Sequence, residues 1–578
     1  MPPLLHLLHA RPRFAIVVRH ALSLSIAGLY VLAGAAFAQV TVDTEEQRRR
    51  AQQEAEERLS RQQAPDVHLS PAAPTVDTEA RDLPVETPCV RIDRVQLDGE
   101  RRQAFTWLDT YLAGYAGRCI GPQGINQIVQ RTVALIVAKG YSTTRIGIPP
   151  EQDLASGSLR LVLIPGVIRA IRIEGEGEAP ERNWRSAFPV RPGDLLNLRD
   201  IEQGLEQMKR TSSQDVSIDI VPEGAPGESD IVLTVQRGKP WRLGLTLDDA
   251  GAKATGRLQT SLTASLDNLL GINDLLSLTV NNDADHDTAR HGTRGHSLQY
   301  SVPWGYWTLS LADSASHYLQ TIQGMNETFR SSGNTQNQEI KLQRVVYRDQ
   351  TAKTTLQFRA LRRYTRSYIE DTEILNQRRR SSAAELGVAH RQYLGDAQID
   401  LALAHRQGVS WFGGQSDAAG HSADAPTPAY RMQTLDFTAV TPFKIVAQPV
   451  RWLATLHGQT TNDVLYAVDH IAIGNRYTVR GFDGERTLAA ERGWFLRNEL
   501  EVPLGDSGQA AYAGIDHGQV SGPSAQALAG RRLTGAVLGL RGAGHGFNYD
   551  LFAGWALAKP DGFGTRRPVA GFLLSYQL

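Results

Sequence analysis

The sequence predicts an all-β transmembrane barrel of about 16 strands behind two tandem α+β units, and three observations lead there. The last 339 or so residues run as successive stretches of alternating apolar and polar side chains, the period of half-buried strands. Residues 89–238 carry the same order of predicted elements twice, the mark of a repeat rather than of one large domain. The N-terminus reads as a secretory signal. Composition bounds the rest. The chain has 578 residues, with 61 Lys+Arg against 61 Asp+Glu, so it lacks the basic excess expected of a dedicated nucleic-acid binder. At about 150 residues per domain, several domains fit. Hydrophobic residues are 41%, which excludes a bundle of transmembrane helices, each needing about 20 nearly continuous apolar residues. A barrel is not excluded, because its strands alternate between lipid and lumen.

Residues 1–38 combine Arg11, Arg13 and Arg19 with an apolar stretch from Ala21 to Gly34 and the small-residue pattern Ala36-Phe37-Ala38. The stretch is too short for a membrane-spanning helix and ends at a cleavage site, so the exported chain is expected to start at Gln39. Cys89 and Cys119 both lie in that exported part. An oxidising compartment permits them to pair, which would stabilise by about 3 to 4 kcal/mol; the alternative is two buried thiols. Residues 39–63 read as a polar helix, supported by Glu45–Arg49, Glu46–Arg50, Glu54–Arg58 and Glu57–Arg61 at i,i+4. Its apolar stripe is only Ala51, Ala55 and Leu59, so it is either a solvated spacer or the occupant of a hydrated cavity. Pro65, Pro71, Pro74, Pro84 and Pro88 make residues 64–88 an extended linker.

Within residues 89–164, Val90, Ile92, Val95 and Leu97 suggest strand. Ile125, Ile128, Val129, Val133 and Ile136 fall on one helical face opened by Gly121-Pro122 and closed by Gly140. Leu159, Leu161 and Leu163 alternate as a strand. Residues 165–238 repeat the order, with a strand at Ile168, Ile171 and Ile173, a helix carrying Ile201, Leu205 and Met208, and strands at Val216–Ile220 and Ile231–Val235. Both units read as β-α-α-β-β.

From residue 239 to 578 the alternation takes over. Trp241, Leu243, Leu245 and Leu247 face one way, as do Leu258, Leu262 and Leu266, then Leu276, Leu278 and Val280. Trp494, Leu496, Leu500 and Val502 oppose Phe495, Arg497, Glu499 and Glu501, and the chain ends in a strand, Phe572, Leu574, Tyr576, Leu578. Pro303-Trp304-Gly305 is predicted as a tight link, residues 281–295 and 406–430 as long polar loops. Such alternation of short turns and long loops is the outer-membrane pattern; a soluble sandwich or propeller is the rival, but no blade-length repeat is visible.

The sequence contains no P-loop, no Gly-x-Ser-x-Gly elbow and no His-Glu-x-x-His, which argues against an enzyme. Gly542, Gly544 and Gly546 lack a βαβ context and read as a hairpin loop. His286, His291 and His296, near Asp283 and Asp285, are spaced for neither one helix face nor one strand face and read as a polar loop rather than a metal site. No cofactor is expected. Val479-Arg480-Gly481-Phe482 differs: an Arg among apolar neighbours in a long connection suits a loop folded back into the lumen, where its charge needs an acid. Asp516, in Gly514-Ile515-Asp516-His517-Gly518, alternates with apolar neighbours and can point inward to meet it. Taken by itself, without any family knowledge, Arg480 reads simply as a surface-loop arginine.

Taken together, the signal, polar helix, two repeats, barrel and Val-Arg-Gly-Phe loop resemble the two-partner secretion (type Vb) transporters of the Omp85 superfamily, in the branch of haemolysin activators and contact-dependent inhibition transporters. Local matches are Pro88-Cys89 with Cys119-Ile120-Gly121, the run Gly140 to Arg145, Gln152-Asp153-Leu154 leading to Gly157 and Leu159, and Tyr300 to Pro303 with Gly305 and Trp307. The resemblance as a whole covers essentially the entire exported chain. The resemblance implies an N-terminal plug helix (39–63), two periplasmic POTRA domains (89–164 and 165–238), and a barrel (239–578) whose inward loop, about 463–492, carries Arg480 paired with Asp516 on the wall. It also implies export of one large secreted partner of the TpsA type, recognised through its N-terminal secretion domain. Outer-membrane lipid and lipopolysaccharide, and the barrel assembly machinery, are the other implied contacts. A monomer that binds no nucleic acid is expected. Leu578 stands where many members end in an aromatic, and Phe482 where Tyr is common. An outer-membrane insertase of the same superfamily and a passive porin are the competing readings.

Overall fold

The computed structural model describes Val67, Leu69 and residues 77–174, 182–285, 290–324 and 327–578. The signal segment, the polar helix, part of the linker and His286 lie outside the described residues.

The first α+β unit is built on a sheet in which Arg94–Gly99 runs parallel to Ser158–Ile164, with Arg145–Gly147 antiparallel on the other side. Alternation in Ser158–Ile164 turns Leu159, Leu161 and Leu163 inward, onto Ile128 and Ile136 of the helix Pro122–Ala138 and Leu108 and Leu112 of the helix Trp107–Ala113. Pro122 is at the first turn of its helix, where a missing N–H leaves nothing unbonded. A short ladder joins Val90–Ile92 to Arg118–Ile120, and Cys89 and Cys119 are disulfide-bonded beside it with Cα atoms 5.4 Å apart.

In the second unit, Val167–Glu174 runs parallel and Gln214–Pro222 antiparallel to the central strand Glu228–Arg237. Helices Arg182–Ala187 and Leu198–Lys209 cover one face, burying Phe188, Ile201, Leu205 and Met208 against Ile231 and Leu233. Asn197 caps the second helix by accepting from Arg199 N at 2.9 Å. Buried Asp230 accepts from Arg169 at 2.7 and 2.6 Å and lies 3.0 Å from Arg172 Nε.

Among the described residues, 16 spanning strands, from Trp241–Asp248 to Val569–Gln577, close into an antiparallel barrel. A two-residue strand, Thr372–Glu373, is added at one loop. Closure has a physical reason: it leaves no unpaired strand edge in lipid. Leu245, Leu262, Leu278 and Val280 are exposed on the outer face, whereas Thr263 and Thr279 share an inward hydrogen bond at 3.0 Å. The closing ladder is short, running from Leu573↔Asp248 to Gln577↔Gly244.

Two sequence expectations are corrected. The link at residues 303–305 is displaced: Pro303 pairs with Thr308 and Trp304 with Trp307, so the turn is Gly305-Tyr306. The loops expected at 281–295 and 406–430 are shorter, because Leu275–Asp283, Gly292–Trp304 and Ala397–Val409 continue as strand. Polar residues on both faces hid those ends, since strands that project beyond the lipid no longer alternate in hydropathy. Accordingly Asp283 and His296 sit on neighbouring strands, and Asp283 Oδ2 accepts from Thr293 N at 3.0 Å.

Candidate functional site: a loop clamped inside the barrel

Residues 462–491 connect Gln448–Thr461 to Arg492–Pro503 and fold back into the lumen. Ile471–Ile473 and Leu488–Ala490 form a hairpin at the loop root. Apolar contacts anchor it, because Ile471, Ile473, Val479, Phe482 and Leu488 are buried with Val520, Leu533 and Phe563 of the wall and its loops. Phe482 meets Phe563 edge-on, with ring centroids 5.8 Å apart. Asn475 shapes the approach to the tip by accepting from Tyr477 N at 2.9 Å.

At the tip, Arg480 is 5% exposed and Asp516, on the strand Gln509–Ser521, is 0% exposed. Asp516 accepts three hydrogen bonds from Arg480: from backbone N at 2.9 Å, Nε at 2.7 Å and Nη2 at 2.9 Å. This planar two-pronged grip is one a lysine cannot reproduce. The close approach depends on residues without side chains. Gly481 has φ +96°, and a methyl there would lie 2.5 Å from the Trp555 carbonyl oxygen. On the wall, a methyl at Gly514 would lie 2.7 Å from Arg480 Nη2, one at Gly518 would lie 2.9 Å from Val479 Cγ2, and one at Gly535 would overlap the Arg480 carbonyl.

The remaining Arg480 nitrogen, Nη1, pairs with Glu499, a residue not assigned to the site from sequence. Glu499 accepts in turn from Arg541 Nη2 at 2.5 Å, and Arg541 Nη1 lies 3.0 Å from Glu501, which also pairs with Arg451. Charges therefore alternate from Asp516 through Arg480, Glu499, Arg541 and Glu501 to Arg451, across four neighbouring strands. The only advance sign of Glu499 and Glu501 was their inward parity on the strand that leaves the loop.

Two further ties reach other walls. Arg363 Nη1 contacts Asp469 Oδ1 at 3.0 Å, and Arg476 pairs with Asp249, whose Oδ1 also accepts from Phe572 N at 2.9 Å beside the closing ladder. Near the root, Glu491 accepts from Ser524 Oγ at 2.6 Å and lies 3.6 Å from His470 Nε2. The hydroxyl thus faces the acid rather than the imidazole, which is not the order that activates a nucleophile. Among the described residues, no group of three or more His, Cys, Asp or Glu is placed to hold a metal ion. The arrangement positions a loop.

The second unit docks on the barrel end opposite the loop root. The turn Gly305-Tyr306 inserts between its helices: Gly305 O accepts from Gln203 and Gln207 Nε2 at 3.2 Å each, Gly305 N donates to Ser186 O at 2.9 Å, and Tyr306 hydroxyl bonds Asp200. Burial pushes the Asp200 carboxyl above its ordinary value, opposed by that hydroxyl, and pushes the Arg210 guanidinium down to about 10. Arg348, at the end of Thr328–Arg348, donates to Gln203 Oε1 at 3.0 Å, Glu206 Oε2 at 2.7 Å and Val67 O at 2.6 Å, with Glu202 at 3.4 Å. Glu202 also accepts from Leu69 N at 2.6 Å, so the linker is pinned in this junction.

A closed barrel with an arginine-tipped inward loop, mounted on two α+β units, defines an outer-membrane transporter with periplasmic POTRA domains. The description "Haemolysin secretion/activation protein ShlB/FhaC/HecB" matches residues 227–542, "POTRA domain, ShlB-type" residues 90–166, and "POTRA domain" residues 167–222. The chain belongs to this ShlB/FhaC/HecB family. It is 44% identical over 553 residues to the outer membrane transporter CdiB-2 of Burkholderia pseudomallei, covering 92% of this chain and 94% of that one. It is 30% identical over 459 residues to the hemolysin transporter protein ShlB of Serratia marcescens, covering 78% of each chain. The solved structure of CdiB from Acinetobacter baumannii superposes with a TM-score of 0.83 at 28% identity, covering 93% of this chain and 99% of that one.

Proposed function

We propose that this chain is the transporter of a two-partner secretion pair, which takes one large exoprotein of the TpsA type from the periplasm and passes it through the barrel to the cell surface. Family membership carries this reading and sets the insertase and porin alternatives aside. The POTRA domains recognise the partner's N-terminal secretion domain, by strand addition to a sheet edge or by a groove between helix and strand. The Arg480 loop holds the lumen in its transport-competent shape through Asp516. The protein works as a monomer inserted by the barrel assembly machinery and binds no nucleic acid.

The polar helix of residues 39–63 occupies the lumen at rest and leaves during transport. Supporting this, Val67 and Leu69 are fixed at the periplasmic mouth of the barrel, within a few residues of the helix. A helix charged on nearly every face suits a water-filled pore. Deleting residues 40–64 is expected to raise single-channel conductance in planar bilayers while secretion largely persists; unchanged conductance contradicts the plug. For the main reading, a deletion strain should lose its partner from the surface and regain it with the intact gene. Deleting residues 89–164 should block export and leave a heat-modifiable barrel, and normal export by that variant would reduce the first POTRA domain to a spacer.

A further inference from the structure

On three neighbouring strands the outward face of the barrel changes character along its length. Ile340, Leu342 and Val346 on Thr328–Arg348, Leu356 on Ala352–Ile369, and Leu386 on Arg379–Leu394 are exposed and apolar, forming the lipid band. Residues two apart share a face, so the same face continues toward the extracellular end as Arg362, Tyr364, Arg366 and Tyr368 on the second strand, and as Ser382 and Arg380 on the third. Register sets them side by side: Arg362 opposes Ser382, and Tyr364 opposes Arg380. The Tyr364 ring carries guanidiniums from two strands, with Arg366 Cζ 4.6 Å and Arg380 Cζ 5.2 Å from its centroid.

The acids around this patch are already engaged. Glu373 accepts from Arg378 Nε and Nη2 at 2.7 Å each. Asp313 accepts the amides of Gln336 and Gln338 at 3.2 and 3.0 Å, and Asp371 pairs with Arg330 at 3.0 Å. Among the described residues, no carboxylate lies within ion-pair distance of Arg362 or Arg380; Arg362 Nη1 donates to Gln338 Oε1 at 3.1 Å. Inside the lumen the opposite holds, with Arg359 and Arg406 both on Glu385 and Arg363 on Asp469. Arg362 and Arg380 thus keep their charge available, just above Ala360, where the apolar band ends, and Arg366 beside them donates its Nε to the Tyr364 hydroxyl at 2.5 Å.

We propose that Arg362, Arg366 and Arg380 bind the phosphorylated sugar headgroup of lipopolysaccharide in the outer leaflet. Guanidinium forks match phosphate oxygens in pairs. Arg362 to Arg366 spans about 13 Å along the strand, and Tyr364 and Tyr368 supply the amphipathic rings that favour the headgroup level. A soluble phosphate would leave the apolar band below uncovered, whereas an acylated headgroup covers both. The inference rests on the outer-membrane placement of the chain.

The test is native mass spectrometry on the full-length, delipidated protein in detergent, titrated with bisphosphorylated lipid A, with dephosphorylated lipid A and with inorganic phosphate. Arg362→Gln/Arg366→Gln/Arg380→Gln is expected to weaken phosphorylated lipid A about 100-fold, and each single substitution about fivefold. Arg344→Gln, an exposed cation near the periplasmic end of the same face, should leave the affinity unchanged. Dephosphorylated lipid A should bind the wild type as weakly as the phosphorylated form binds the triple variant, and inorganic phosphate should not bind detectably. Wild-type affinity in a heat-modifiable triple variant overturns the site, as does equal binding of the two lipid A forms. Should the triple variant misfold, unchanged affinity in Arg362→Gln and Arg380→Gln is equally decisive. Recovery of the wild type in the outer-membrane fraction checks placement separately.

Discussion

Arg480 and Arg348 are both buried and both hold another part of the chain to the barrel, but one concentrates its bonds and the other spreads them. Arg480 places three of its donors on a single carboxylate, within a loop that is also anchored by Val479 and Phe482. Arg348 fans out to two acids, an amide and a backbone carbonyl that belong to a helix of the second POTRA domain and to the linker. Concentrated bonding makes a latch: losing one partner strands a charge but leaves the barrel ladder intact. Spread bonding makes a mount, which yields only when a whole domain moves.

The largest effect is expected at the latch. Arg480→Ala should cut secretion at least tenfold with near-normal heat-modifiable barrel, since breaking a buried pair costs about 3 to 5 kcal/mol locally. Arg480→Lys should rescue poorly because it lacks the planar fork. Full secretion by Arg480→Ala would remove the distinction between latch and mount. Next comes the mount. Arg348→Ala removes the side chain that ties Gln203 and Glu206 to the Val67 carbonyl of the linker, while Arg199 stays on Glu202 and Lys353 on Glu206, so protease should cut residues 64–88 faster in detergent-solubilised protein and secretion should fall several-fold; an unchanged cleavage rate would show that Arg348 holds nothing. Gly535→Ala should resemble a weakened Arg480 variant, because its methyl group overlaps the Arg480 carbonyl and overpacking costs about 1 to 3 kcal/mol. Wild-type secretion there would mean that the tip tolerates displacement.

The smallest effect concerns pH. Hydrogen bonds from Arg169 hold the Asp230 carboxyl below its usual range. That contribution is complete above the unfolded Asp pKa of about 4 and is lost as pH falls through the lower folded value. Proteolysis within residues 165–238 of the full-length protein should therefore accelerate on acidification, and Asp230→Asn should flatten that pH dependence. An identical acid response in the variant would assign it to other carboxylates.

The latch was legible and the mount was not, for a physical reason. Val479 to Phe482 is a contiguous motif, and Asp516 shows its inward parity within its own strand. Glu499 and Glu501 displayed the same parity, but nothing local marked which inward acid the arginine would meet. Arg348 looks like any arginine at a strand end, since its partners lie 142 to 281 residues away. The barrel itself was legible because period-2 hydropathy is local, and that signal failed at residues 281–295 and 303–305, where strands leave the lipid or end in a turn seated on another domain. Asp249 and Arg476 join the loop to the closing strands without a sequence sign of either role.

The most direct measurement is a double-mutant cycle on secretion, using Arg480→Ala, Asp516→Ala and the double variant in matched outer-membrane amounts. If the two residues act as one latch, the loss in the double variant falls well short of the product of the two single losses, because both singles remove the same two side-chain bonds, Nε and Nη2 of Arg480 to Asp516. Losses that multiply in the double variant would show that Arg480 and Asp516 act independently and that the loop is not held by their pairing.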